Sequence, residues 1–496
     1  SQESAMKRAS ALIILLSMLL SAAACGDVEE QSDVSGTADD NLTETAAAEV
    51  DETDRTSIPD NLPEYNFDGR EFTILTINNS NDPIRGNDEQ NGELVDDAIY
   101  ERRRTVEERF NVVLAEFIMG NHRETGAEIE RSVMAGDDSY DLYAGHAIVS
   151  GGPAMNGIFL NWHNVENVDF TQPWWQQNSV EALTIDGVMP LVPSYMTMTV
   201  VSNTYCMFYN KEIAANYQLE DIFDVVNSGE WTFDKLKETT VDIYEDLNGN
   251  SIADEGDLFG FGFGPNSPVV TFTWAFDVPI IERNADGSVN LLLEAQRTTD
   301  IIDKLYEFFY QSTGVYTEST AQATRLAELF ATGNFLITPG LIGNAVSTLR
   351  EFETDYSIIP YPKYDSNQED YLTMVDGGHL IIGVPLTAKN PAETGIITEV
   401  MTAESWKNVV PAYYDVALKL KGTRDEESIA MLDKILDSVK VDFTYIYDNW
   451  QGFAFFMQDL LQAKNRDLMS YIETNRSAKL TFYEQLYEAF DEMKNQ

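Results

Sequence analysis

Apolar and polar positions along the chain alternate in a pattern that predicts a repeated strand and helix order. Glu71–Ile77 (EFTILTI) is dense in residues that fit a pleated surface and predicts a strand, and its polar continuation, Asn78-Asn79-Ser80-Asn81, predicts a loop. Apolar residues at 94, 95, 98, 99, 106 and 110 lie on one side of a helix from Leu94 to Phe110. Arg102, Arg103 and Arg104 are then expected on its solvated face, paired with Glu101, Glu107 and Glu108. A strand at 112–117, a helix at 123–134 and a short strand at 141–144 follow, and this β-α-β-α-β order implies a largely parallel sheet covered by helices.

The longest β-type run, Ser194 to Asn210 (SYMTMTVVSNTYCMFYN), reads as one strand that carries the chain from a first lobe into a second. Gly377 to Pro385 (GGHLIIGVP) reads as the return crossing, and between two such crossings a cleft is expected. Leu183 to Leu191 predicts a hairpin turning at Asp186-Gly187, and Thr232 an N-cap for a helix reaching about Glu245. Helices at 296–311 and 322–331, a strand at 335–338, a helix from Ile342 and a strand at 356–359 restore the alternation; beyond Asn390 the pattern is mostly helical.

A chain of 496 residues, 43% hydrophobic, is long enough for two cores. Its net charge of −51, with only 32 Lys and Arg, excludes nucleic-acid binding, which needs clustered cations to neutralise phosphates. Such acidity suits a soluble protein working outside the cell or a salt-adapted one. Lys7 and Arg8, the apolar run Ala11 to Leu20 and Ser21-Ala22-Ala23-Ala24 lead to Cys25, the pattern of a lipoprotein signal in which Cys25 would carry the lipid. An ordinary secretory signal is the alternative, and Ser1 to Ala5 read as an upstream extension. Residues 26–63, rich in Asp, Glu, Ser, Thr and Ala, are expected to form a disordered tether. With Cys25 lipidated, Cys206 would be a free buried thiol.

Several stretches in order, FTILT, YDLYAG, FYNKEIAANY, WTFDKLKE, ELFATGNFLITPG and GGHLIIGVPLTAKNPAET, resemble the family 1 extracellular solute-binding proteins, the lipoprotein receptors of ABC importers. The resemblance runs from about Glu71 to the C-terminus. It implies a two-lobed α/β periplasmic-binding-protein-like fold of type II, with residues 64–200 plus 334–376 in lobe 1 and 203–332 plus 380–496 in lobe 2. It also implies a monomer that closes on its ligand by hinge motion, permease subunits as partners and a carbohydrate cargo, with a peptide or another polar solute as the alternative.

A sugar site needs flat aromatic faces for C–H patches and planar polar groups for hydroxyls. Trp174-Trp175, in a polar surround, is the first candidate for a stacking platform, with core packing as its alternative. Trp274 lies in an apolar run that reads as core, and the resemblance is what raises it; Trp450, in YDNWQGF, is a further candidate. Polar candidates are Asn78 and Asn79 at the end of the first strand, and Asp376 beside the return crossing, each with a plain turn residue as its alternative. His379 reads as a hydrogen-bonded sheet residue. The resemblance adds Asn344, although the tryptophan often found after the preceding glycine is missing here. The loop 246–257 places Asp246, Asn248, Asn250, Asp254 and Asp257, with the Ile252 backbone, at the ligand positions of a calcium loop. Ser251 replaces its usual glycine and Asp257 its longer Glu, so one structural Ca2+ and a plain polar turn both stay open. The competing class is a surface glycoside hydrolase, but with 83 acidic residues a carboxylate pair is uninformative. No H-E-x-x-H, G-x-S-x-G, Walker loop or C-x-x-C occurs, so a non-enzymatic receptor is the reading carried forward.

Overall fold

The structure, a computed structural model, describes residues 54–77, 84–419 and 426–494. Its strands are β1 (Glu71–Ile77), β2 (Val113–Met119), β3 (Leu142–His146), β4 (Val192–Pro193), β5 (Tyr205–Asn210), β6 (Tyr244–Glu245) and β7 (Leu258–Phe263). There follow β8 (Ile281–Arg283), β9 (Val289–Leu291), β10 (Val315–Thr317), β11 (Phe335–Leu341), β12 (Tyr356–Ile359) and β13 (Leu380–Gly383). One sheet has the order β2-β1-β3-β13-β4; a second has β10-β7-β11-β5-β12 with β6 on β7; β8 and β9 form a hairpin. In the first sheet β1 runs parallel to both β2 and β3, as the strand and helix alternation predicts, and β13 runs antiparallel to β3.

Sheet membership corrects the expected lobe boundaries. β11 and β12 pair antiparallel with β5 on its two sides, so 335–359 belongs with the second sheet; β13 then returns to the first sheet between β3 and β4. The chain therefore crosses once after β4 and comes back just before β13, and the middle of the sequence is one uninterrupted second lobe. The final helix before the terminus, Leu468–Met493, packs against both β9 and the helix Ala147–Met155.

The first crossing is a strand only over its last six residues. Before β5 the chain forms turns and the short helix Thr199–Ser202. Ser and Thr hydroxyls cause this: Ser194 Oγ accepts the Met196 N–H at 3.0 Å, and the Thr197 hydroxyl donates to the Ser194 carbonyl at 3.1 Å. Such local bonds compete with a sheet ladder. The two crossings touch: Tyr205 N–H donates to the Met374 carbonyl at 3.0 Å and Asp376 N–H to the Asn203 carbonyl at 2.8 Å. A third segment lies alongside, with Lys440 N–H donating to the Thr373 carbonyl at 2.8 Å.

Two further expectations change. Arg102 and Arg103 are buried, Arg102 donating to the Met196 and Ile84 carbonyls and to Ser405 Oγ; Arg104 keeps the expected pairing with Glu108, and Arg103 reaches Glu107 at 3.9 Å. The end of the acidic segment is docked: Arg55 pairs with Asp433 and stacks over Trp406, and Asp60 pairs with Arg109. Cys25 and the rest of that segment lie outside the described residues. Cys206 is buried in β5, as expected.

Candidate functional site

The C-terminal ends of parallel strands are where open α/β sheets leave room for ligands. Here β3 ends at His146, directly ahead of the helix Ala147–Met155, and the helix His122–Met134 starts beside it. The His122 and His146 rings lie 4.9 Å apart between centroids. A Cβ added at Gly378 would sit 3.2 Å from Asp376 Oδ1 and 3.9 Å from both Asn203 Nδ2 and His146 Nε2, so three polar side chains converge on that glycine. Asp376 is held from both sides. Its Oδ2 accepts the Tyr205 hydroxyl at 2.9 Å and its Oδ1 the Gly378 N–H at 3.0 Å, while its carbonyl receives the His379 ring Nδ1 at 2.8 Å. Burial, with His122 adding to it, pushes the His146 imidazole down to about 4 against the pull of Asp376, which keeps it neutral at physiological pH.

From Asp376 an aromatic run leads away. Gly377 N–H donates to the Tyr445 hydroxyl at 3.0 Å, and any side chain at 377 would overlap Ile148. Tyr445 stacks edge-on with Trp274 (6.1 Å) and against Phe455 (5.6 Å), and Phe455 stacks with Trp450 (6.3 Å, 13° between planes). His122, His146 and Gly378 come from the first sheet and its helices, Tyr205 and Trp274 from the second lobe, so the cluster sits where the lobes meet. Among the described residues its hydrogen-bonding capacity is not used up: His146 Nδ1, His379 Nε2 and Trp274 Nε1 are buried and have no partner there. An acceptor carboxylate, a carboxamide, neutral imidazole and ring faces form a set suited to hydroxyl groups and sugar C–H patches.

Of the residues the sequence singles out, Asp376, Trp274 and Trp450 belong to this cluster. Trp174 and Trp175 do not. They are 0% and 1% exposed, and their indole N–H groups donate to the two oxygens of Glu399 at 2.8 and 3.0 Å. Burial pushes the Glu399 carboxyl up to about 7 against those hydrogen bonds. The expectation of an open platform there is corrected: the pair is core, saturated by a carboxylate. Asn344 is also buried, and its Oδ1 accepts the Leu341 N–H at 2.9 Å, which makes it a cap for the helix Ile342–Val346. Asn78 and Asn79 lie outside the described residues. His122, His146, Asn203 and Tyr445 were missed; a His directly at the predicted end of a parallel strand was the signal available for His146.

The loop 246–257 spends its oxygens on itself. Asp246 accepts N–H groups of Gly249 (2.7 Å) and Ser251 (2.9 Å), Asn248 and Asn250 donate their amides to Asp254 (3.1 and 2.7 Å), and buried Asp257 accepts from Leu247 (3.2 Å) and Asp254 (3.2 Å). Ser251, at φ 61°, adopts the left-handed backbone for which glycine is usual at that position. Among the described residues no three His, Cys, Asp or Glu side chains converge as metal ligands.

The two-lobed α/β fold is one that solved solute-binding proteins share. Two solved structures with that architecture are similar over most of the chain. An ABC transporter solute-binding protein from Thermotoga lettingae, bound with α-D-tagatose, is 14% identical, covers 84% of this chain and 100% of its own, and has a TM-score of 0.51. A cyclo/maltodextrin-binding protein complexed with maltotetraose is 12% identical over 86% of this chain and 96% of its own, with a TM-score of 0.52. No protein-family model matches the chain, and no curated protein matches it by sequence.

Proposed function

We propose that the protein is a solute-binding receptor that captures a carbohydrate at the lobe junction and delivers it to the membrane subunits of an ABC importer. The observation that carries this reading is the convergence of Asp376, Asn203 and His146 on Gly378 beside an aromatic run, with donors and acceptors left unpartnered in a fold whose similar structures hold sugars. In this reading Asp376 and Asn203 take hydroxyl hydrogen bonds, Trp274 and Trp450 supply ring faces, and the paired crossings act as the hinge. Ligand selects the closed arrangement, and the importer recognises it. No bond is broken or formed. The molecule would work at the outer face of the cell membrane, anchored through Cys25; among the described residues no helix is long and apolar enough to cross a membrane.

A thermal-shift screen against mono- and oligosaccharides, short peptides and calcium tests the reading, because a ligand that binds only the folded chain raises its melting temperature. A saturable shift with one saccharide class is expected. A response to peptides alone would keep the fold and change the cargo. The 246–257 loop stays a proposed calcium site: Asp246, Asp254, Asp257 and the amide oxygens of Asn248 and Asn250 would turn from the loop's own N–H groups to the ion and stiffen the second lobe. A melting increase reversed by chelator, and absent in Asp246→Asn, is the expected result.

A further inference from the structure

The segment Asp448 to Gly452, which carries Trp450, is built unlike the other loops around the junction. Asp448 carbonyl accepts the Gln451 N–H at 2.8 Å across Asn449 (φ 44°) and Trp450 (φ 58°), both in the left-handed region. Two successive left-handed residues define the mirror-image turn for which glycine is the favoured second residue, and a bulky aromatic there is strained. Trp450 is nevertheless 60% exposed, its ring stacked on Phe455. Asp448, which opens the turn, is fully buried. Its Oδ2 accepts the Ala454 N–H at 3.0 Å, and its Oδ1 is buried with no partner among the described residues. Gly452 lets the carboxylate in: a Cβ there would stand 2.5 Å from both Asp448 Oδ2 and the Tyr483 hydroxyl. The far side of the turn is fixed as well, by Phe453 N–H donating to that hydroxyl at 2.6 Å and by Lys479 Nζ donating to the Gly452 carbonyl.

Strain of this kind persists only where the surroundings over-determine it. We propose that Asp448 is a positioning residue whose buried carboxylate, tied across the turn to Ala454, holds Asn449 and Trp450 left-handed and so keeps the Trp450 ring presented at the lobe junction. The importance of that ring for ligand rests on the receptor reading above; the holding of the turn does not. Burial pushes the Asp448 carboxyl up to about 6, against the Ala454 hydrogen bond, the charge of Lys479 and the Gly452 N–H. The groups facing it are Lys479, Tyr471 and Tyr483 of the last long helix, Asp459 of the helix Phe456–Gln462 and Tyr445 of the helix Phe443–Ile446. Its proton is thus taken up as pH falls through about 6, and the neutral acid is the weaker acceptor for Ala454.

The test uses the full chain and needs no ligand. Trp450→Ala and Trp450→Gly remove the same ring, but only alanine keeps a Cβ in the disfavoured backbone, so the glycine variant is expected to melt about 1–2 °C higher. Acrylamide quenching of the Trp450 emission, obtained by subtracting the Trp450→Phe spectrum, reads the ring's exposure. Asp448→Ala is expected to lower that quenching by about 1.5-fold as the turn relaxes and the ring settles onto the surface. Asp448→Asn, which keeps an oxygen for Ala454, is expected to quench as wild type at pH 7.5 and to lose a step near pH 6 that wild type shows. An alanine variant as stable as the glycine one, or a folded Asp448→Ala with wild-type quenching, overturns the proposal. Maltotetraose and tagatose then serve as probes: if neither shifts the melting of wild type, that counts against the receptor reading, while the turn measurements stand unaffected.

Discussion

Two tryptophan settings in this molecule look alike in sequence and differ in every physical respect. Trp174-Trp175 and Trp450 each sit among polar residues, yet the pair is buried with both indole N–H groups matched to Glu399, whereas Trp450 stands exposed on a strained turn. Trp274 falls between them, buried but with its N–H unmatched. Among the buried tryptophans, what separates the core pair from Trp274 is whether the indole N–H is already satisfied, more than how polar the neighbouring sequence is. The saturated pair should govern stability and leave binding alone; the unsaturated cluster should do the reverse.

The largest effect is expected at Glu399. Glu399→Ala leaves two buried indole donors without an acceptor and opens a cavity, and should cost about 3–5 kcal/mol in denaturant unfolding while leaving saccharide affinity within twofold. Next comes its pH dependence. The folded-state carboxyl is raised to about 7 from an ordinary 4.5, so the folded chain holds the proton that the unfolded chain releases first. Stability is therefore greatest below about 4.5 on this account and falls through the window up to 7, by up to about 3 kcal/mol. Melting temperatures taken across that window should show the fall, and Glu399→Gln should flatten it.

At the junction the effects are on binding. Asp376→Ala removes a charged acceptor and should weaken saccharide binding about 10- to 100-fold, read by calorimetry. Trp450→Ala should weaken it about 5-fold, the worth of one ring face, and change unfolding free energy by under about 1 kcal/mol. A junction variant that loses stability with unchanged affinity would erase the distinction between the two settings.

Much of the secondary structure was legible because it is local. β1, the helix Leu94–Phe110, the turn at Asp186-Gly187 and the cap at Thr232 follow from propensity, period and turn chemistry, although the expected hairpin shrinks to one bridge, Ile185 to Val188, behind a helix that ends at Leu183. The lobe boundaries were not, since which sheet a strand joins is decided by partners such as Phe208 for Thr338, far away in the chain. Distance in sequence also hid the fate of Trp174, whose acceptor lies 225 positions on, and of Arg102, bound to Met196 and Ser405. Asp376 was found because a carboxylate ahead of two glycines at a crossing is a local sign. His122 and His146 looked scattered until β3 and the neighbouring helix brought their rings together.

The most direct test of the central claim is an isothermal titration of one saccharide that raises the melting temperature into three proteins: wild type, Asp376→Ala and Glu399→Gln. Single-site binding by wild type and Glu399→Gln, weakened at least about tenfold in Asp376→Ala, is the result the lobe-junction site predicts. Equal affinity in wild type and Asp376→Ala would contradict it and place the ligand elsewhere on the molecule.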